Sequence, residues 1–192
     1  KPDIGEVFLN SQRISKFSMP RRARLGIGYL PQEASIFRRL SVRENLDIAL
    51  SQSFLSKPLA RLRKQELIED FNLSRFIDRP GYQLSGGERR RCEIARALAV
   101  GSIGPKYLLL DEPFAGVDPM AIADLQDLIY KLRERGMGIL ITDHNVRETL
   151  AITNRSYILS EGKILAYGLS NEVANDPLVR KNYLGEGFQL RN

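Results

Sequence analysis

The sequence is poor in the residues that staple or anchor a chain. It has one cysteine, Cys92, and one histidine, His144. A single thiol excludes an intramolecular disulfide and fits a reducing compartment. Cys92 lies within an apolar helical pattern and reads as a small buried residue rather than a nucleophile. No apolar stretch approaches the roughly 20 residues that span a bilayer. The longest runs, such as Tyr107–Leu110, are strand-length. The opening KPDIGEVFLN has no signal-peptide core. Low-complexity tracts and internal repeats are missing too. The expectation is a soluble chain that meets a membrane only through a partner.

What is present is ordinary globular material. The 192 residues are 43% hydrophobic and 27% charged, which excludes wholesale disorder. Lysine and arginine number 29 against 23 acidic residues, a net charge of +6. Such an excess attracts nucleic acid or anionic lipid. The basic residues nevertheless fall in separate clusters, including Arg21–Arg22–Arg24, Arg38–Arg39, Arg61–Arg63–Lys64 and Arg89–Arg91. No aromatics interleave regularly with them, and no zinc-finger, RRM or homeodomain pattern occurs. No nucleic-acid partner is expected.

Along the chain, Glu6–Leu9 reads as a short strand closed by Asn10–Gln12. Gly26–Pro31 reads as a second strand stopped by proline. Ser41 and Glu44 form a capping box that opens a helix through Leu46, Ile48 and Ala49. Lys64–Phe71 is a further helix, and another starts at Ser85 and runs through Leu98. Lys106–Leu110 is an apolar run ending in acid, which suits a strand buried on both faces. Asp118 and Pro119 open a helix with Ile122, Leu125, Leu128, Ile129 and Leu132 on one face, stopped at Gly136. Ile139–Thr142 is the next buried strand, followed by a short helix from Asn145 to Ile152. Tyr157–Leu159 and Lys163–Ala166 flank the turn Glu161–Gly162 as a hairpin. A last helix covers Ser170–Leu184. Alternating strands and helices predict an α/β protein with a mostly parallel sheet. The expected division is a helical lobe over 33–100, a sheet core over 101–168 and a C-terminal helix and tail over 169–192.

Four features carry chemistry. Leu84-Ser85-Gly86-Gly87-Glu88 opens a helix, whose free N–H groups and dipole favour a phosphate. A capping box between Ser85 and Glu88 explains the cap but not the two glycines, which weaken a first turn. Tyr107–Leu110 leads into Asp111 and Glu112 at the carboxyl edge of a strand, where open α/β sheets bind ligands. There Asp111 suits Mg²⁺ and Glu112 suits an attacking water; an ordinary acidic turn fits the two carboxylates equally well. His144 follows the next strand and can share that edge. Gln32, just after Pro31, has an amide that can ligate Mg²⁺ or water.

The order of these features resembles the nucleotide-binding subunit of ABC transporters. Leu84–Glu88 is similar to the signature motif, and Leu108–Glu112 to the Walker B strand with its glutamate. Ala115–Asp118 resembles the D-loop, Gln32 the Q-loop and His144 the switch histidine. Gly28–Leu40, Glu88–Leu98, Asp143–Leu150 and the tail Tyr183–Glu186 narrow the resemblance to subunits that drive lipopolysaccharide export. Those for branched-chain amino acids look similar.

The resemblance implies a P-loop NTPase fold, ATP and Mg²⁺ as cofactors, and a head-to-tail homodimer that sandwiches two nucleotides. It implies catalytic roles for Glu112 and His144. Asp111 and Gln32 would serve Mg²⁺, and Gln32, Ser85, Gly86, Gly87, Glu88 and Asp118 would bind nucleotide. Phe37, Arg38 and Arg39 would dock transmembrane permease subunits on the cytoplasmic face of the inner membrane. Lipopolysaccharide would be cargo that this chain does not itself bind. The chain contains no GxxxxGK[ST]. Gly162–Lys163 is followed by Ile164 in a hairpin and cannot serve. The expectation is therefore a fragment without the first strands, the adenine-stacking aromatic and the P-loop helix, inactive alone. The alternatives are an ATPase of another ABC transporter and a non-catalytic docking fragment.

Overall fold

The computed structural model describes residues 2–101, 104–185 and 187–188. The chain opens with two-residue strands, β1 (Phe8–Leu9) and β2 (Gln12–Arg13), paired antiparallel. Gln12 is thus part of a strand rather than the loop expected, because Asn10 takes a left-handed φ of +52° and turns the chain at once. Helix α1 (Met19–Arg24) follows, then β3 (Ile27–Leu30).

From there to the next strand the regular structure is helical. Helix α2 (Val42–Ser51) starts on a complete capping box: the Ser41 side chain accepts the Glu44 N–H, and Glu44 accepts the Ser41 N–H. Helix α3 (Lys57–Asp70) begins earlier than its apolar pattern suggests. Pro58 sits in its first turn, where a missing N–H costs nothing. Helix α4 (Gly86–Leu98) has a second complete capping box, from Ser85 and Glu88.

Strand β4 (Tyr107–Asp111) lies parallel between β3 and β5 (Gly138–Thr142). The register sets Leu30 beside Leu110, Leu110 beside Ile141, and Asp111 beside Thr142. Helix α5 (Pro119–Glu134), capped by Asp118, joins β4 to β5. Leu30, Leu108 and Leu110 are buried in one core with Ile94 and Leu98 of α4 and Leu125, Leu128, Ile129 and Leu132 of α5. The opposite face is not covered, contrary to the expectation of strands buried on both sides. Leu140 is 62% exposed and Tyr29 41%. They line an open groove of about 720 Å³ with Val7, Met19, Tyr107 and Leu109. Alternation along a strand sends successive side chains to opposite faces; α4 and α5 seal one of them, while only the short α1 and the β1–β2 hairpin border the other.

Helix α6 (Val146–Leu150) is capped by Asn145 and is shorter than expected. Strands β6 (Arg155–Ser160) and β7 (Lys163–Leu169) form a separate antiparallel hairpin. Glu161 and Gly162 both have positive φ, as a tight two-residue hairpin turn requires. The predicted last helix is broken into α7 (Ser170–Asn175), α8 (Pro177–Val179) and a π-helical turn over Arg180–Leu184. Pro177 cannot donate to the preceding turn, and Asp176 caps the new start instead. Among the described residues no helix is long and apolar enough to cross a membrane.

Candidate functional site

At the α4 N-terminus, Ser85 and Glu88 satisfy each other, and Arg79 forms an ion pair with Glu88. Burial alone would raise the Glu88 carboxyl, but the Ser85 N–H and Arg79 outweigh it and leave its pKa lowered. Among the described residues the Gly86 and Gly87 N–H groups have no hydrogen-bond partner. Those two donors are what the helix end can offer an anion. The glycines also have a reason within the chain. A Cβ on Gly86 would collide with the Gly116 carbonyl oxygen, and one on Gly87 would lie 2.5 Å from the Ala121 Cβ. The close approach that glycine permits is thus made by the chain's own Ala115–Asp118 loop and the first turn of α5. Asp118 is exposed, and its side chain accepts the Ala121 N–H at 3.0 Å.

At the carboxyl ends of β4 and β5 three candidates meet. Asp111 accepts the Thr142 hydroxyl at 2.5 Å, and the Tyr29 hydroxyl lies 3.5 Å from its other oxygen. Burial, then the Asp111 charge, raise the Tyr29 pKa. Glu112 has a left-handed φ of +45°, a strained conformation for a residue with a Cβ. Its N–H donates to the Thr142 carbonyl at 2.7 Å. Its carboxylate stands 3.4 Å from Nδ1 of His144, whose side chain is 74% exposed. Carboxylate and open imidazole therefore face the same solvent-accessible rim.

Gln32 joins this rim through its backbone. The Arg90 guanidinium, from α4, donates to the carbonyls of Pro31 at 3.1 Å, Gln32 at 2.9 Å and Glu112 at 3.1 Å. Arg90 pairs with Glu93 at 3.2 Å, and both side chains are almost fully buried. Glu93 in turn accepts the N–H groups of Ser35 at 2.7 Å and Ile36 at 3.1 Å. Arg96 donates to the Ser35 carbonyl and lies over the Phe37 ring, 4.5 Å from its centroid. One face of α4 thus holds the segment from Pro31 to Phe37 against the tip of β4. Phe37 is half-exposed, and Arg38 and Arg39 are exposed with no ion pair among the described residues. They lie on the outer side of that segment, apart from Asp111, Glu112 and His144.

The sequence profile described as ABC transporter matches residues 1–115. The lipopolysaccharide export system ATP-binding protein LptB of Haemophilus influenzae is 53% identical over 191 residues, which is 99% of this chain and 78% of that protein. LptB of Escherichia coli K12 is 52% identical over 189 residues, covering 98% and 77%. An ATP-binding cassette of an ABC transporter in its ADP conformation superposes with a TM-score of 0.77 at 27% identity, covering 96% of this chain and 78% of that one. A nucleotide-free cassette gives 0.79 at 26% identity, covering 97% and 79%. The chain belongs to the ABC transporter family.

Its fold is accordingly that of an ABC ATPase, a family that couples ATP hydrolysis to transport. Within this ABC chain, Asp111, Glu112, His144 and the Gln32 backbone form one constellation. Ser85–Glu88 form a second, separated from it by the Ala115–Asp118 loop. Glu186, part of the resembling tail, lies outside the described residues. Among the described residues no group of three or more acidic, histidine or cysteine side chains converges as a metal cage. Mg²⁺ held by one carboxylate, with water and phosphate oxygens completing its shell, still fits Asp111. Sequence reading missed Tyr29, Thr142, Arg90 and Glu93. Thr142 was legible in principle, since it ends the strand paired with Asp111. Arg90 and Glu93 lie in the helix after the signature motif, where no local pattern marks which side chains turn inward.

Proposed function

We propose that this ABC chain is the ATP-hydrolysing subunit of a lipopolysaccharide-export transporter. It acts as a homodimer docked on permease subunits at the cytoplasmic face of the inner membrane. Support for the cargo comes from relatives named for lipopolysaccharide export at 50–53% identity. Support for the chemistry comes from the meeting of Glu112 and His144, 3.4 Å apart and open to solvent beside Asp111. That single arrangement carries the reading.

Bound ATP would supply the phosphoryl group, and Mg²⁺ would spread the charge on its phosphates. Glu112 orients a water and accepts its proton. Asp111, held by Thr142, would hold Mg²⁺, and the nearby Gln32 amide would serve the same ion. His144 donates to the terminal phosphate. Gly86 and Gly87, with Ser85 and Glu88, present the α4 N-terminus to nucleotide held by a second copy, and Asp118 lies at the same junction. Splitting the site between copies makes hydrolysis depend on dimer closure. Phe37, tied through α4 to Gln32 and Glu112, and the adjacent Arg38 and Arg39 carry that closure to the permease.

In the full-length protein, Glu112→Gln is expected to cut ATP hydrolysis by about 10²-fold or more while ATP-bound dimers persist. Equal turnover in mutant and wild type would remove Glu112 from its role. Residues 1–192 alone, which contain no GxxxxGK[ST], are expected to hydrolyse no ATP. Depleting the protein in cells should hold new lipopolysaccharide in the inner membrane; normal delivery to the surface would point to another cargo.

A further inference from the structure

Asp143 has no part in the site described so far, yet its side chain is 0% exposed. A carboxylate sealed from water is costly unless its oxygens are spent. Both are. Oδ1 accepts the Asn145 N–H at 2.8 Å, and Oδ2 accepts the Phe114 N–H at 3.3 Å. The first bond is local and orders the loop that carries His144. The second reaches 29 residues back, to the turn that follows Glu112. A local turn needs only one oxygen, so the second bond is what local geometry leaves unexplained. It ends at Phe114, a buried ring that fixes the far side of the Glu112–Pro113–Phe114 turn. On the near side, Thr142 and Arg90 take the Glu112 N–H and carbonyl. The strained φ of +45° at Glu112 is therefore held from both ends.

We propose that Asp143 is a positioning residue: its buried carboxylate staples the turn after Glu112 to the loop carrying His144, and keeps carboxylate and imidazole facing each other. This rests on the roles given above to Glu112 and His144. Asp143→Asn has nearly the same shape but only one side-chain acceptor, so it must release Phe114 or Asn145.

In the full-length protein, Asp143→Asn is expected to lower kcat between about 10- and 100-fold, with KM for ATP changed less than about twofold. Amide exchange at Phe114 and Asn145 should quicken while Ala121 stays protected. The decisive readout is NMR without nucleotide. Glu112→Gln should shift the His144 imidazole resonance in the wild-type background and leave it nearly unmoved in the Asp143→Asn background. An equal shift in both backgrounds would overturn the staple, as would wild-type turnover in Asp143→Asn. If Asp143→Asn does not fold, exchange in the unmodified protein decides. Slow exchange at both Phe114 and Asn145 supports the staple, and free exchange at either refutes it. Unaltered turnover in both Glu112→Gln and Asp143→Asn would sink the reading of the site itself. Loss only in Glu112→Gln would sink the positioning role alone.

Discussion

Strands β3, β4 and β5 are apolar on both faces, and the two faces meet different surroundings. One presents Leu30, Leu108 and Leu110, all sealed beneath α4 and α5. The other presents Tyr29, Leu109 and Leu140 to an open groove. The residues differ little in chemistry. Burial is therefore a property of what packs on a strand, not of the strand. The functional rim falls at the carboxyl end of both faces, where the covered side supplies Arg90 and the bare side supplies Tyr29.

Substitutions placed on either face test that contrast directly. Leu108→Ala, on the covered face, is expected to cost about 2–5 kcal/mol of unfolding free energy, read from denaturant melts. A loss under 1 kcal/mol there would mean that the helices do not pack as described. Gly86→Ala comes next. Its Cβ meets the Gly116 backbone, so α4 must shift, at a cost of about 1–3 kcal/mol. A neutral Gly86→Ala would separate α4 from the Ala115–Asp118 loop.

Asp70 and Arg135 form a two-bond ion pair, at 2.5 and 2.8 Å, between the ends of α3 and α5. The hydrogen bond from Arg135 lowers the Asp70 pKa against the opposing effect of burial. A depressed folded-state value stabilises above the ordinary 3.8 and loses that contribution as pH falls through the lowered value. Asp70→Asn should thus cost about 1 kcal/mol or less at pH 7, since the pair is partly solvated. The difference from wild type should fade in acid. A difference that persisted below the folded-state value would exclude the ion pair as its source. The smallest effect is expected on the bare face, where Leu140→Ser should change stability by about 0.5 kcal/mol or less. A loss as large as that of Leu108→Ala would show that the groove is covered in solution.

Much of the local structure was legible because it is encoded within a few residues. Both capping boxes, Ser41 with Glu44 and Ser85 with Glu88, form as their spacing predicts. So do the Asp118 cap and the Glu161–Gly162 turn. Cys92 is buried, and burial pushes its thiol pKa up to about 12, as befits an inert residue. The last helix was misread because its apolar pattern outlasts Pro177, and a proline break outranks periodicity. The candidate site was half legible. Asp111, Glu112, His144 and Gln32 stood out by residue type at strand ends. The groups that hold them did not. Arg90, Glu93 and Asp143 look like surface charges in a linear string.

The sequence by itself determined where helices start, where strands turn and which acids and imidazole end up on strand tips, because caps, turns and alternation act between near neighbours. Only the tertiary structure decided which sheet face is covered. It also decided that Gly86 and Gly87 yield space to Gly116 and Ala121, and that the buried Arg90 clamps the Glu112 carbonyl. Those outcomes depend on contacts between segments far apart in the chain, whose packing no local pattern encodes.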